Sequence, residues 1–202
     1  MAIAVATGDN GTGKPGLSSD DRLMCAYARG KQSAFEQLYL RYKQPLYGYL
    51  YRHCHRSQVD ELFQDVWLRV IASASRYKSS NKFRSWIFTL AHNCLVDHYR
   101  KIARQADFED DGAQFVETNL TDGKLLEVTL DASELKKSIL NAVKSLPIEQ
   151  REAFYLREEA GFSIKEIADI QTITQEAAKS RLRYAYKKLR QLLTDIPGKR
   201  AS

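Results

Sequence analysis

Two stretches of this sequence combine residue types suited to chemistry on a polyanion. Between Lys179 and Arg190 six residues are basic and none is acidic. On a helix, Lys179, Arg183, Lys187 and Arg190 share one face, while Ala178, Leu182, Ala185 and Leu189 recur at three-to-four spacing on another and must pack inward. Positive charges at that density repel one another unless phosphates lie opposite, and a helix is the element that fits the major groove of duplex DNA. The second stretch interleaves Tyr77, Phe83, Trp86 and Tyr99 with Lys78, Lys82, Arg84, Arg100 and Lys101. Aromatic faces that stack on bases, with cations that follow a backbone, suit single-stranded DNA. Each stretch also has a plain structural reading: a solvated basic helix, and Phe83 and Trp86 as core residues of a small helical domain. Tyr77, in a polar loop, escapes that second objection.

Catalytic chemistry is not legible. Gly8, Gly13 and Lys14 fit the spacing of a phosphate-binding loop, but Pro15 stands where a Ser or Thr should hold magnesium. His53 and His55 flank Cys54, yet on a helix residues two apart do not share a face, so a metal site is not expected there. His92 and His98 fall in the aromatic and basic stretch and read as packing or phosphate contacts. Cys25, Cys54 and Cys94 are odd in number, without CxxC spacing, which excludes a disulfide framework and a four-cysteine zinc site. The expectation is a protein that is not an enzyme and uses no cofactor or metal.

The elements that must position these groups are helices. Ser19 and Asp20 are suited to cap a short helix ended by Gly30, and Ser33 with Glu36 has capping-box spacing ahead of Phe35, Leu38, Tyr39 and Tyr42. Ser57 opens a helix whose stripe is Leu62, Phe63, Val66, Trp67, Val70 and Ile71, leaving Glu61, Gln64, Asp65 and Arg69 partly outside it. After a polar loop from Arg76 to Lys82, another helix carries Trp86, Ile87, Leu90, Cys94 and Leu95 inward and turns Asn93, Asp97, Arg100 and Lys101 away. Residues 105–130 hold Gly112, Gly123 and clustered acids with no sustained period, as a linker would. Asp131 and Glu134 can cap a helix through Val143, Pro147 suits the first turn of the next, and Gly161 ends that one. Ser163 and Glu166 then form a capping box for Ile164 to Ile170. Gln171, Thr172 and Ile173 turn, and Thr174 caps a helix to about Leu193. That is helix-turn-helix spacing.

The chain has 202 residues, 44% hydrophobic and 28% charged, enough for one domain or two small ones with cores of their own. The first twenty residues hold four of the ten glycines and read as a flexible tail. Net charge is +6, but its distribution says more. Residues 1–101 carry 15 basic and 8 acidic side chains, 102–132 carry 2 and 8, and 133–202 carry 14 and 9. Two basic segments around an acidic connector suit a protein whose two ends touch a polyanion. No run approaches the roughly 18 apolar residues of a membrane span, and Ala2 to Ala6 is too short for a signal peptide, so a cytoplasmic protein is expected.

At this point the residues resemble the sigma-70 class of RNA polymerase sigma factors, specifically the extracytoplasmic-function group, over about residues 21–101 and 133–193. Asp60-Glu61-Leu62-Phe63-Gln64-Asp65-Val66-Trp67 is similar to the helix that binds the polymerase clamp. Phe83-Arg84-Ser85-Trp86-Ile87, then Ala91-His92-Asn93, Asp97 and Arg100-Lys101, resembles the promoter-melting and minus-10 segment. Leu146-Pro147, Arg151, Gly161-Phe162-Ser163, Glu166-Ile167-Ala168 and Lys179-Ser180-Arg181-Leu182 resemble the minus-35 domain. The fold implied is all-α, two small helical domains joined by a flexible acidic linker: a tail at 1–20, region 2 at 21–103, the linker at 104–130, region 4 with its helix-turn-helix at 131–193, and a tail at 194–202.

The resemblance also implies roles. Asp60, Glu61, Gln64 and Asp65 would face the beta-prime clamp of core polymerase, with the beta flap as a second docking point. Tyr77, Lys82, Phe83, Trp86, Asn93, Asp97, Arg100 and Lys101 would serve the minus-10 element, with Asn93 helping to hold a flipped base in a pocket formed by the Tyr77 to Phe83 loop. Gln175, Glu176, Lys179, Ser180, Arg183, Tyr184 and Lys187 would read the minus-35 duplex. The group often has Gly-Thr-Val where this chain has Glu176, Ala177 and Ala178, and a Glu there can accept a hydrogen bond from a cytosine amino group. The acidic linker would thread near the polymerase active-site and RNA-exit channels. An anti-sigma protein covering both DNA-binding domains is the expected regulatory partner. The competing class is a conventional two-domain regulator with the same helix-turn-helix, which would have no need of the Gln64-Asp65 surface, the aromatic loop and Asn93 together.

Overall fold

The computed structural model describes residues 18–79, 82–106 and 134–194. It divides into two compact units, Met1–Val116 and Glu117–Ser202. The described residues are helical, with no strand among them, so the all-α expectation holds. The glycine-rich tail, the phosphate-loop look-alike, the acidic linker and Asp131 lie outside the described residues.

In the first unit α1 spans Ser19–Ala28. Its cap is Ser18, one residue earlier than expected, because the Ser18 hydroxyl accepts the Asp21 amide at 3.2 Å. Asp20 is then free to pair with Arg41 and to accept the Tyr42 hydroxyl, tying α1 to α2, Gln32–Tyr51. The Ser33–Glu36 capping box does not form. Gly30, at φ +93°, reverses the chain so tightly that Lys31 becomes the cap, and Ser33 already lies inside the first turn.

α3 covers Arg56–Ser73, and its cap is the His55 ring, whose Nδ1 accepts the Ser57 amide at 3.3 Å. This settles His53, Cys54 and His55 as a helix junction: the buried His53 ring bonds the Tyr49 carbonyl at 2.7 Å and the Cys54 thiol donates to the Leu50 carbonyl. Among the described residues no group of three metal-ligating side chains converges. Leu62, Val66, Trp67 and Val70 are buried as expected, Phe63 is half-buried, and Ile71 is 44% exposed. A short 3-10 turn, Ala74–Arg76, leads toward α4, Phe83–Ala106. α4 buries Phe83, Ile87, Phe88, Ala91, Cys94 and Leu95, while Trp86 and Leu90 are half-buried. Rings of α2 and α3 pack together, with Trp67 lying 5.0 Å from Tyr39 and edge-on to Phe35 at 5.5 Å.

Burial holds Cys54, Tyr42 and Cys94 of this unit protonated. Cys54 and Tyr42 are each pushed up to about 12 and Cys94 to about 11, in each case chiefly by desolvation. In the unfolded chain the thiols ionise near 9.0 and the phenol near 10.0. The folded pKa values are the raised ones, so stability is complete below about pH 9 and declines as pH rises toward 11 and 12. Thermal unfolding is therefore expected to fall between about pH 8 and about pH 10.5, followed by the emission of Trp67 and Trp86. An unchanged midpoint would mean that these groups are not desolvated in solution.

The second unit begins with α5, Glu134–Lys144, followed by α6, Ile148–Glu158, α7, Ile164–Gln171, and α8, Gln175–Thr194. Pro147 is the cap of α6, and Gly161, at φ +66°, makes the turn beyond its end. The Ser163–Glu166 capping box forms as expected, with the Ser163 amide donating to the Glu166 carboxylate at 2.8 Å and the Glu166 amide to Ser163 Oγ at 3.2 Å. Thr172 at φ +55° turns the chain, and the Thr174 hydroxyl accepts the Ala177 amide. Ala178, Leu182, Ala185 and Leu189 are all buried, the last two against Ala142, Val143 and Leu146 of the α5 side.

Candidate nucleic-acid interface

The burial of one face of α8 decides what the other face presents. With Ala178, Leu182, Ala185 and Leu189 inward, Gln175, Glu176, Lys179, Arg183, Tyr184 and Lys187 are exposed and Ser180 is half-buried. The Arg183 guanidinium lies 5.1 Å from the centre of the Tyr184 ring, which orients a long side chain at modest entropic cost. Lys179, Arg183, Lys187 and Arg190 line an open groove with Arg157, over a floor that includes Ile164 and Leu182. Arg157 was not found from sequence. It comes from α6, more than twenty residues upstream, and its Nη1 donates to the Phe162 carbonyl at 2.9 Å.

Not every cation of the helix faces out. Arg181 turns inward and donates to Gln171 Oε1 at 3.0 Å, while Gln171 Nε2 donates to the buried Glu152 carboxylate at 2.8 Å. This network ties α8 to the turn and to α6, so it sets the angle at which the exposed face is presented.

In the first unit, α4 exposes Asn93, Asp97, Arg100 and Lys101 along one side, and Lys82 is exposed just ahead of the helix. Asp97 accepts from Arg69 at 2.9 Å, an exposed pair that links α3 to α4 and contributes little stability. His98 meets Gln58 at 3.1 Å, and burial lowers its pKa from the ordinary imidazole value. Tyr77 is not a free loop side chain. Its hydroxyl donates to Asp21 Oδ1 at 2.7 Å, and its ring lies 4.8 Å from Trp86 and 5.9 Å from Phe83. Phe83 is buried and Trp86 half-buried, and their ring centres lie 5.6 Å apart, so the three rings form a wall at the start of α4. The structure thus brings Tyr77, Phe83 and Trp86 together as an aromatic cluster, and Arg100 and Lys101 lie further along the helix.

On α3, Asp60, Glu61 and Gln64 are exposed and Asp65 is half-buried, one helical face of acid and amide. The Tyr47 hydroxyl donates to Asp60 at 3.1 Å. Such a face suits a basic partner.

Comparison with known proteins accounts for both units. The chain matches the model for Sigma-70 region 2 over residues 38–105 and that for Sigma-70, region 4 over residues 136–189. It is 32% identical over 171 residues to the RNA polymerase sigma factor CarQ of Myxococcus xanthus, covering 83% of this chain and 93% of the relative. It is 30% identical over 159 residues to the RNA polymerase sigma factor SigZ of Bacillus subtilis, covering 78% and 86%. Among solved structures, its fold resembles the sigma factor RpoE of Bartonella quintana in complex with the anti-sigma factor NepR. That match has a TM-score of 0.67 at 24% identity, over 80% of this chain and 98% of the other.

Proposed function

Because the chain belongs to the extracytoplasmic-function group of the sigma-70 family of RNA polymerase sigma factors, non-enzymatic proteins that direct transcription initiation, we propose that it does so by reading bipartite promoters with two separate surfaces. The exposed cations of α8 contact the minus-35 duplex through the major groove, and the α4 side of the first unit captures an unstacked minus-10 base. The observation that carries this reading is the division of α8 into a buried apolar face and an exposed basic one behind a capped turn. In this reading region 2 occupies 21–103, the linker 104–130 and region 4 131–193.

The work is done by binding energy. Asp60, Glu61, Gln64 and Asp65 dock the first unit on the beta-prime clamp, and the second unit sits on the beta flap. Lys179, Arg183 and Lys187 neutralise phosphates, and Glu176, exposed at the start of α8, accepts from a cytosine amino group. Holding one flipped base offsets the few kcal/mol of its unpairing. Asn93 hydrogen-bonds that base beside the Tyr77, Phe83 and Trp86 wall, while Lys82, Arg100 and Lys101 follow the displaced strand and Asp97, paired with Arg69, lies on the same exposed side of α4. The protein works in the cytoplasm with core polymerase. An anti-sigma protein, of the kind that the Bartonella quintana RpoE structure holds, is the partner that would cover these surfaces.

Run-off transcription with core polymerase on a pool of upstream fragments tests this. The wild type is expected to give discrete start sites, and Asn93→Ala to weaken them by about 10-fold or more, the value of one good base contact. If core polymerase initiates nowhere while the protein alone protects a duplex site, the conventional-regulator reading replaces this one.

A further inference from the structure

Asp21 is 0% exposed, and its carboxylate is buried between elements far apart in sequence. A buried carboxylate is costly unless donors converge on it. Here the Ser18 hydroxyl donates to Oδ2, the Tyr77 hydroxyl donates to Oδ1 at 2.7 Å, and the Phe83 amide points at Oδ2 from 3.5 Å. Phe83 is the first residue of α4, so this amide is one of the donors that a helix leaves unpaired at its start. A negative charge there is also favoured by the helix dipole. Asp21 therefore acts as a cap supplied from α1, 62 residues away, to the helix that carries Asn93. The same carboxylate fixes the Tyr77 ring, which packs on Trp86, which in turn packs on Phe83.

We propose that Asp21 is a positioning residue for the minus-10 surface: it holds Tyr77 and the start of α4 in register, and so sets how selectively the captured base is read. This rests on the minus-10 reading of α4 given above. Nothing in the local sequence of Asp21 marks it, since it looks like any first-turn acid of a short helix.

Holoenzyme reconstituted with wild type, Asp21→Asn, Tyr77→Phe and the double variant tests it. Run-off is measured on a promoter that the wild type defines and on versions with each minus-10 base substituted. Asp21→Asn keeps shape and one acceptor but loses the charge, and Tyr77→Phe loses only a hydroxyl. Each is expected to lower transcription from the matched promoter by about 10-fold and from the substituted ones by less, so that the ratio between them shrinks. The double variant should add little, because both changes break one linkage. A variant with a wild-type unfolding midpoint and an unchanged ratio overturns the proposal and leaves Asp21 a purely structural residue. If Asp21→Asn unfolds, Tyr77→Phe decides by the same ratio. Absence of any wild-type start site would instead overturn the sigma-factor reading, and this proposal with it.

Discussion

Replacing Lys179 and Arg183 together by alanine is expected to weaken binding of the second unit's helix-turn-helix to the proposed minus-35 duplex by about 100-fold at moderate salt. Log affinity against log salt should also flatten by about 1.8, the slope of two phosphate contacts. Both residues are exposed, one turn apart on α8, and both line the basic groove. Alanine is the best helix former, and the buried residues Ala178, Leu182, Ala185 and Leu189 are untouched, so the helix itself should persist. The loss is thus one of contacts and not of fold. Fluorescence anisotropy of the labelled duplex with holoenzyme, across a salt series, separates the possibilities. A fall in affinity with an unchanged slope would assign the two side chains to base edges alone, and no fall would remove α8 from the interface.

The largest effect on stability is expected from Phe162→Ala. Phe162 is 0% exposed, its amide donates to the Leu156 carbonyl at 2.9 Å and its carbonyl accepts from Arg157. It sits between Gly161 and the capping Ser163, where α6 turns into α7. Truncating a buried Phe to Ala costs about 3–5 kcal/mol. A helical unit of roughly 60 residues has a stability of about that size, so this one should be largely unfolded near body temperature. Both tryptophans, Trp67 and Trp86, lie in the first unit. The expected signature is therefore a loss of helical circular dichroism with tryptophan emission unchanged. A single late transition in both signals would show that the cavity at Phe162 collapses without penalty.

Much of the second unit was legible because its signals are local. A capping box needs two residues three apart, and Ser163 with Glu166 forms it as read; the inward stripe of α8 needs only a period. The first unit was legible in its helices but not in their starts. Ser19, the Ser33–Glu36 pair and Ser57 were each plausible caps, and Ser18, Lys31 and His55 took their places. A cap depends on where the preceding chain delivers the helix, which Gly30 and the junction at His53 to His55 decide.

The sequence by itself determined the helical class, the two units and the basic face of α8, since composition, period and spacing carry those. Only the tertiary structure decided that Tyr77 packs into an aromatic wall, that Arg181 turns inward to Gln171 while Arg157 joins the outer groove, and that Asp21 caps α4 from 62 residues away. Those facts depend on which side chains meet across helices, and a one-dimensional period is blind to them, because it says which face is apolar and not what lies opposite it.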